Sequence, residues 1–193
     1  MFHFKNNTHG SHREFLRLFD EQLAGLFALA IRMTRNHLDA EDLVQDTAMK
    51  AFRYFNRFDR GTNFRAWTYR ILTNNYINNY RKKKKSPDSV EIDNVAFKLK
   101  DSDNGYWDRL DDRNNDFSYS EIFDDELNRA IESLPDEYRI VVLLSDVESF
   151  NYKEIAEIIG RPIGTVMSRL HRGRKILQRA LTGYARKQGY VSV

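Results

Sequence analysis

The sequence predicts an all-α protein of two small helical domains joined by an acidic, flexible linker. Three observations carry that expectation. Apolar residues recur at spacings of three and four over long stretches, the period of a helix with one buried face, and no alternating strand pattern of any length occurs. Breaking residues are few, with 9 glycines in the chain and proline only at Pro87, Pro135 and Pro162. Between 86 and 120 the composition shifts to Asp, Asn and Ser with isolated aromatics, which suits a tether better than a packed element. The expected organisation is a disordered N-terminus over 1–11, a helical domain over 12–85, the linker over 86–120 and a second helical domain over 121–193.

In the first domain Phe15, Leu18, Phe19, Leu26, Phe27, Ala30 and Met33 mark the buried side of a first helix. Asp39 is the expected cap of a second helix, with Asp42 three residues on and Leu43, Thr47, Ala48, Ala51, Phe52 and Phe55 as its inner stripe. A third helix starts near Asn63 and runs through "FRAWTYRILTNNYINNYRKKKK". Trp67 and Ile71 fit its core side, whereas Tyr69, Asn74 and Asn75 are hard to explain as packing. Helical periodicity resumes near Glu121 with Leu127, Ala130, Ile131 and Leu134, pauses at Pro135 and continues through "YRIVVLLSDV". Asn151 followed by Glu154 is a capping pair for a helix from Tyr152, whose buried side is Ile155, Ala156, Ile158 and Ile159 and whose stop is Gly160. Pro162 and Ile163 lead into a last helix with Val166, Leu170, Gly173 and Leu177 on one face.

The net charge of +3 conceals a segregation. Ser86 to Glu126 holds 13 acidic against 4 basic residues, a local −9, which leaves +12 for the rest of the chain. Two basic modules around an acidic linker point to a polyanionic partner. With no cysteine there is no disulfide, thiolate zinc site or cysteine nucleophile. No run approaches the roughly 18 apolar residues of a membrane span, and "MFHFKNNTHGSH" lacks the pattern of a signal peptide. A cytoplasmic protein without membrane insertion is expected. No carboxylate or histidine cluster suits a metal, because Asp111, Asp112 and Asp116 sit in the tether where nothing fixes their geometry. Catalytic residues, metal and cofactor are therefore all expected to be absent.

Two short helices joined by a turn of about four residues, the second carrying Thr165, Ser168, Arg169, Arg172 and Lys175 outward, match a helix-turn-helix. A helical hairpin with merely solvated arginines has the same break and caps. The absence of any acidic residue from 161 to 193 favours the DNA reading, since a solubility face mixes both signs. In the third helix, aromatics interleaved with Asn beside Arg81 to Lys85 can stack on unpaired bases and track a backbone.

"DAEDLVQDTAMKAF", "FRAWTYRI", "SLPDEYRIVVLL" and "YKEIAEIIGRPIGTVMSRLHRGRKIL" follow one another in the order seen in bacterial RNA polymerase sigma factors of the extracytoplasmic-function (ECF) group, sigma-70 family. The chain resembles that group from Phe15 to Arg186 apart from the linker. The resemblance implies a non-enzymatic initiation factor with domains two and four, bound to core RNA polymerase and to promoter DNA. It places Asp42, Gln45 and Asp46 against the clamp helices of the largest polymerase subunit and domain four on the flap of the second-largest. Their spacing puts the three on one strip, which by itself is an ordinary solvated face. It assigns Asn63, Tyr69, Arg70, Asn74, Arg81, Lys82 and Lys83 to the minus-ten element, where a flipped base needs polar groups at its edge. Pro162, Thr165, Ser168, Arg169, His171 and Arg172 match positions at the minus-thirty-five element, and Met167 stands where a basic residue is common. An anti-sigma factor is a further partner on resemblance alone. The alternative reading is a helix-turn-helix regulator that does not bind core polymerase, but "DLVQD" beside a lysine-rich helix offers neither a ligand pocket nor a phosphoacceptor site.

Overall fold

The computed structural model describes residues 8–85 and 125–190. The linker expected over 86–120, most of the segment expected to be disordered over 1–11, and residues 121–124 lie outside the described residues. The first domain consists of α1 (Thr8–Thr34), α2 (His37–Tyr54), a 3-10 turn over Phe55–Arg57 and α3 (Phe64–Lys85). Helix α1 thus begins within the segment expected to be disordered. The ring of His12 lies 4.8 Å from that of Phe52, which ties that turn to α2.

The cap of α2 differs from the expected one. Arg35 adopts a left-handed conformation with φ 60°, and the side chain of Asn36 then accepts the Asp39 N–H at 3.0 Å. Asn36 is the cap, and Asp39 becomes an acidic first-turn residue that complements the helix dipole. The core joins Phe15, Phe19, Leu26 and Met33 of α1 to Leu43, Val44 and Ala51 of α2 and to Phe64 and Leu72 of α3. Phe55, Phe58, Phe64 and Trp67 pack ring on ring, with Trp67 centred 5.1 Å from Phe58 and 5.6 Å from Phe64. Phe52, read as part of the inner stripe, is 47% exposed at the edge of this cluster.

Two further expectations about α3 are corrected. Tyr69 is buried, and so is Asn75, which donates to Thr47 Oγ1 at 3.3 Å and accepts from Lys50 at 2.6 Å. Both are packing residues in this arrangement, because α3 is covered on more than one side.

The second domain contains α4 (Asp125–Glu132), α5 (Asp136–Val142) continuing into one π-helical turn over Leu143–Val147, α6 (Tyr152–Ile159) and α7 (Ile163–Lys187). Leu134, Val141, Leu144, Ile155, Ile158, Val166 and Leu170 are among its buried apolar residues. Gly173 allows α7 to lie close on α5, since a methyl there would stand 2.8 Å from Val142 Cγ2 and 3.3 Å from Tyr138 Cβ. The Asn151 and Glu154 capping box forms in full, and Gly160 closes α6 with φ 61°. Asn151→Ala should lower stability by about 1 kcal/mol, read as a shifted midpoint in denaturant; an unchanged midpoint would show that the cap is redundant. Among the described residues there is no strand.

Candidate nucleic-acid and polymerase interface

Helices α6 and α7 form the expected pair. Val166, Leu170 and Gly173 are buried, and Leu177 is half-buried. The outer side of α7 presents Met167, Ser168, His171, Arg172 and Lys175 to solvent, with Pro162 exposed at its start and Thr165 half-buried. Arg169 departs from that pattern. Its guanidinium pairs with Glu137 of α5 at 2.8 Å and is only 24% exposed. Arg174 likewise bonds Asp146 at 2.5 Å, and that hydrogen bond holds its pKa well above the usual value. Of the three arginines between 169 and 174, Arg169 and Arg174 therefore brace the helix on its own domain, whereas Arg172 points outward.

On α2, Asp42 and Gln45 are exposed and Asp46 is half-buried, on one strip at i, i+3 and i+4. Asp42 also borders a cleft of about 540 Å³ shared with Arg35, Tyr76 and Arg139. Arg139 is nearly inaccessible, pairs with Asp136, and has its pKa lowered first by burial.

Helix α3 divides the residues assigned to the minus-ten element. Arg70 and Asn74, four apart, lie exposed on one side. Tyr69 lies on the other side, 1% exposed, and donates its hydroxyl to Glu148 of the second domain at 2.7 Å. Burial first and then the Glu148 carboxylate push its pKa well above the ordinary tyrosine value. Asn63 caps α3 through its bond from the Ala66 N–H and also donates to Glu154 at 3.3 Å. Arg81, Lys82 and Lys83 belong to the last turns of α3, and their side chains fall outside the described residues. Glu148 and Glu154, which cover this face, were missed in the sequence. Glu154 carried only a capping signal, and Glu148 carried none.

Comparison with known proteins matches residues 18–86 to the family described as Sigma-70 region 2 and residues 124–177 to Sigma-70, region 4. The ECF RNA polymerase sigma factor SigW of Bacillus subtilis is 33% identical over 187 residues, an alignment spanning 89% of this chain and 91% of that protein. The chain belongs to the ECF RNA polymerase sigma factors. SigE of Mycolicibacterium smegmatis, another ECF sigma factor, is 34% identical over 156 residues, 79% of this chain and 56% of its own length. The Bartonella quintana sigma factor RpoE, solved in complex with the anti-sigma factor NepR, superposes with a TM-score of 0.64 at 29% identity, over 88% of this chain and 98% of that one. As an ECF sigma factor the chain is a transcription-initiation factor, with α1–α3 as its region 2 and α4–α7 as its region 4. None of the helices among the described residues is long and apolar enough to cross a membrane.

Proposed function

We propose that this sigma factor docks on the clamp helices of core RNA polymerase through Asp42, Gln45 and Asp46 and directs the enzyme to promoters read at two elements. The outer face of α7, with Ser168, His171 and Arg172, reads the minus-thirty-five element. Arg70 and Asn74, together with Asn63 and the basic end of α3, take the minus-ten element as it unpairs. The observation that carries this reading is the pairing, in one chain, of an outward acidic strip on α2 with an outward, acid-free face on a helix-turn-helix. The strip suits arginines of a protein partner, and the face suits phosphates and guanine edges. Domain four is also proposed to rest on the flap of the second-largest subunit, and an anti-sigma factor is a proposed negative partner, supported by the bound state of the Bartonella quintana neighbour.

Run-off transcription with purified core polymerase on genomic DNA fragments tests the whole reading. A helix-turn-helix regulator would give no added transcripts. The role of α7 has its own test in Arg172→Ala, which should cost about 1–3 kcal/mol on the preferred upstream element and relax choice at one base position. Equal weakening on every sequence, with a shallower salt slope, would reassign Arg172 to a phosphate.

A further inference from the structure

The loop that joins the 3-10 turn to α3 ends at Asn63 and is exposed from Asp59 onward. Asp59 organises it from within. Its carbonyl accepts the Thr62 N–H at 2.9 Å and the Thr62 hydroxyl at 2.7 Å, and its carboxylate accepts the Gly61 N–H at 3.0 Å. Those bonds set the shape of the loop, whereas contacts from α1 set its place on the domain. The Arg60 guanidinium forks onto Glu14, with Nε 3.0 Å from one carboxylate oxygen and Nη2 2.8 Å from the other, and it stands 5.5 Å from the Phe55 ring centre. One turn back along α1, Ser11 donates to Asn56 of the 3-10 turn at 3.4 Å and the His12 ring meets Phe52 edge-on. Phe15 seats this end of α1 in the core, 4% exposed and centred 5.3 Å from the rings of both Phe52 and Phe55. Ser11, His12 and Glu14 all precede the stretch matched to region 2, which starts at residue 18.

An ion pair at the surface ordinarily adds little stability, because ordering two long side chains offsets most of the attraction. Its geometry is another matter. A planar guanidinium forked onto a carboxylate fixes direction as well as distance, and this fork joins residues 46 apart in the chain. The pair therefore bears on where the loop sits more than on whether the domain folds. A loop already held in its binding conformation loses less conformational freedom when its ligand arrives, and it tolerates a wrong ligand less well.

We infer that Glu14 is a positioning residue for promoter reading: through Arg60 it fixes the loop ending at Asn63 against α1, so that an unpaired base of the minus-ten element meets that loop in one conformation. The inference rests on the assignment of Asn63 to the minus-ten element. It deepens that assignment by giving the base discrimination of the loop a cause on α1.

The test uses the full chain with core polymerase, a promoter recovered by run-off transcription, and copies of that promoter altered at single minus-ten positions. Discrimination is the ratio of transcripts from the recovered promoter to those from the altered ones. Glu14→Ala, which favours the α1 helix itself, should lower that ratio about fivefold, while the melting of the free chain and its affinity for core polymerase stay those of the parent. In an Arg60→Ala background the same substitution should change nothing further, since its effect passes through Arg60. In the free chain, amide exchange at Gly61, Thr62 and Asn63 should quicken about fivefold in Glu14→Ala. An unchanged or raised ratio overturns the inference, a raised one meaning that Glu14 withholds Arg60 from a phosphate. An equal loss in both backgrounds, or a loss that tracks a lower melting midpoint, overturns it as well, because Glu14 would then act on the fold of α1. If the parent supports no run-off transcription, the sigma-factor roles proposed above fail, and the exchange rates alone decide whether Glu14 orders the loop.

Discussion

Asp46→Lys should weaken binding to core RNA polymerase by about 2–5 kcal/mol while leaving the melting of the free protein nearly unchanged. Asp46 is half-buried on α2, beside Asp42 and Gln45 on the same strip, so a partner arginine can meet a carboxylate already held by the helix. The side chains beneath the strip, Leu43, Val44 and Thr47, make the core contacts of α2. Reversal at position 46 consequently replaces attraction by repulsion at a desolvated contact without removing apolar area. Calorimetric titration of core polymerase with parent and variant measures the difference. Equal affinities would show that the strip is an ordinary solvated face and that polymerase contacts another surface.

Leu170→Ala should destabilise domain four by about 2–5 kcal/mol, the range for emptying a buried leucine site that collapses only in part. Leu170 is 2% exposed and belongs to the core cluster that also holds Val166, Ile155 and Leu144. Two residues away on either side, α7 carries the outward Ser168 and Arg172, so loss of this anchor releases the DNA-reading face as well as the fold. Binding to an upstream-element duplex should be lost well before the domain two contact with polymerase, because α1–α3 keep their own core. Denaturant unfolding followed by domain-specific signals reads the effect. A loss below about 1 kcal/mol would mean that α7 is held mainly by its bridges to Glu137 and Asp146.

Much of the helix-turn-helix is legible in the sequence because its signals are local. The capping box at Asn151, the left-handed Gly160 and the spacing of Val166, Leu170 and Gly173 act within one or two turns of chain. The start of α2 was misread by a few residues for a related reason. Asn36 and Asp39 are both good caps, and the left-handed turn at Arg35, whose side chain bonds the Glu132 carbonyl of the second domain, accompanies the choice of Asn36.

The helical class, the two modules and the division of charge were determined by the sequence itself, since periodicity and composition report which faces must be buried. Which residues of those faces remain open was decided by tertiary structure. Arg169 and Arg172 look alike in the sequence, yet Glu137, 32 residues from Arg169, braces one and leaves the other outward. Tyr69 likewise reads as a candidate base contact until Glu148, 79 residues away, takes its hydroxyl. A carboxylate at such separation leaves no periodic trace, because its effect depends on a bend at Ser149 and on how closely the two domains approach. The same local pattern therefore serves an open face and a covered one, and only the packing of α5 on α7 and of α6 on α3 distinguishes them.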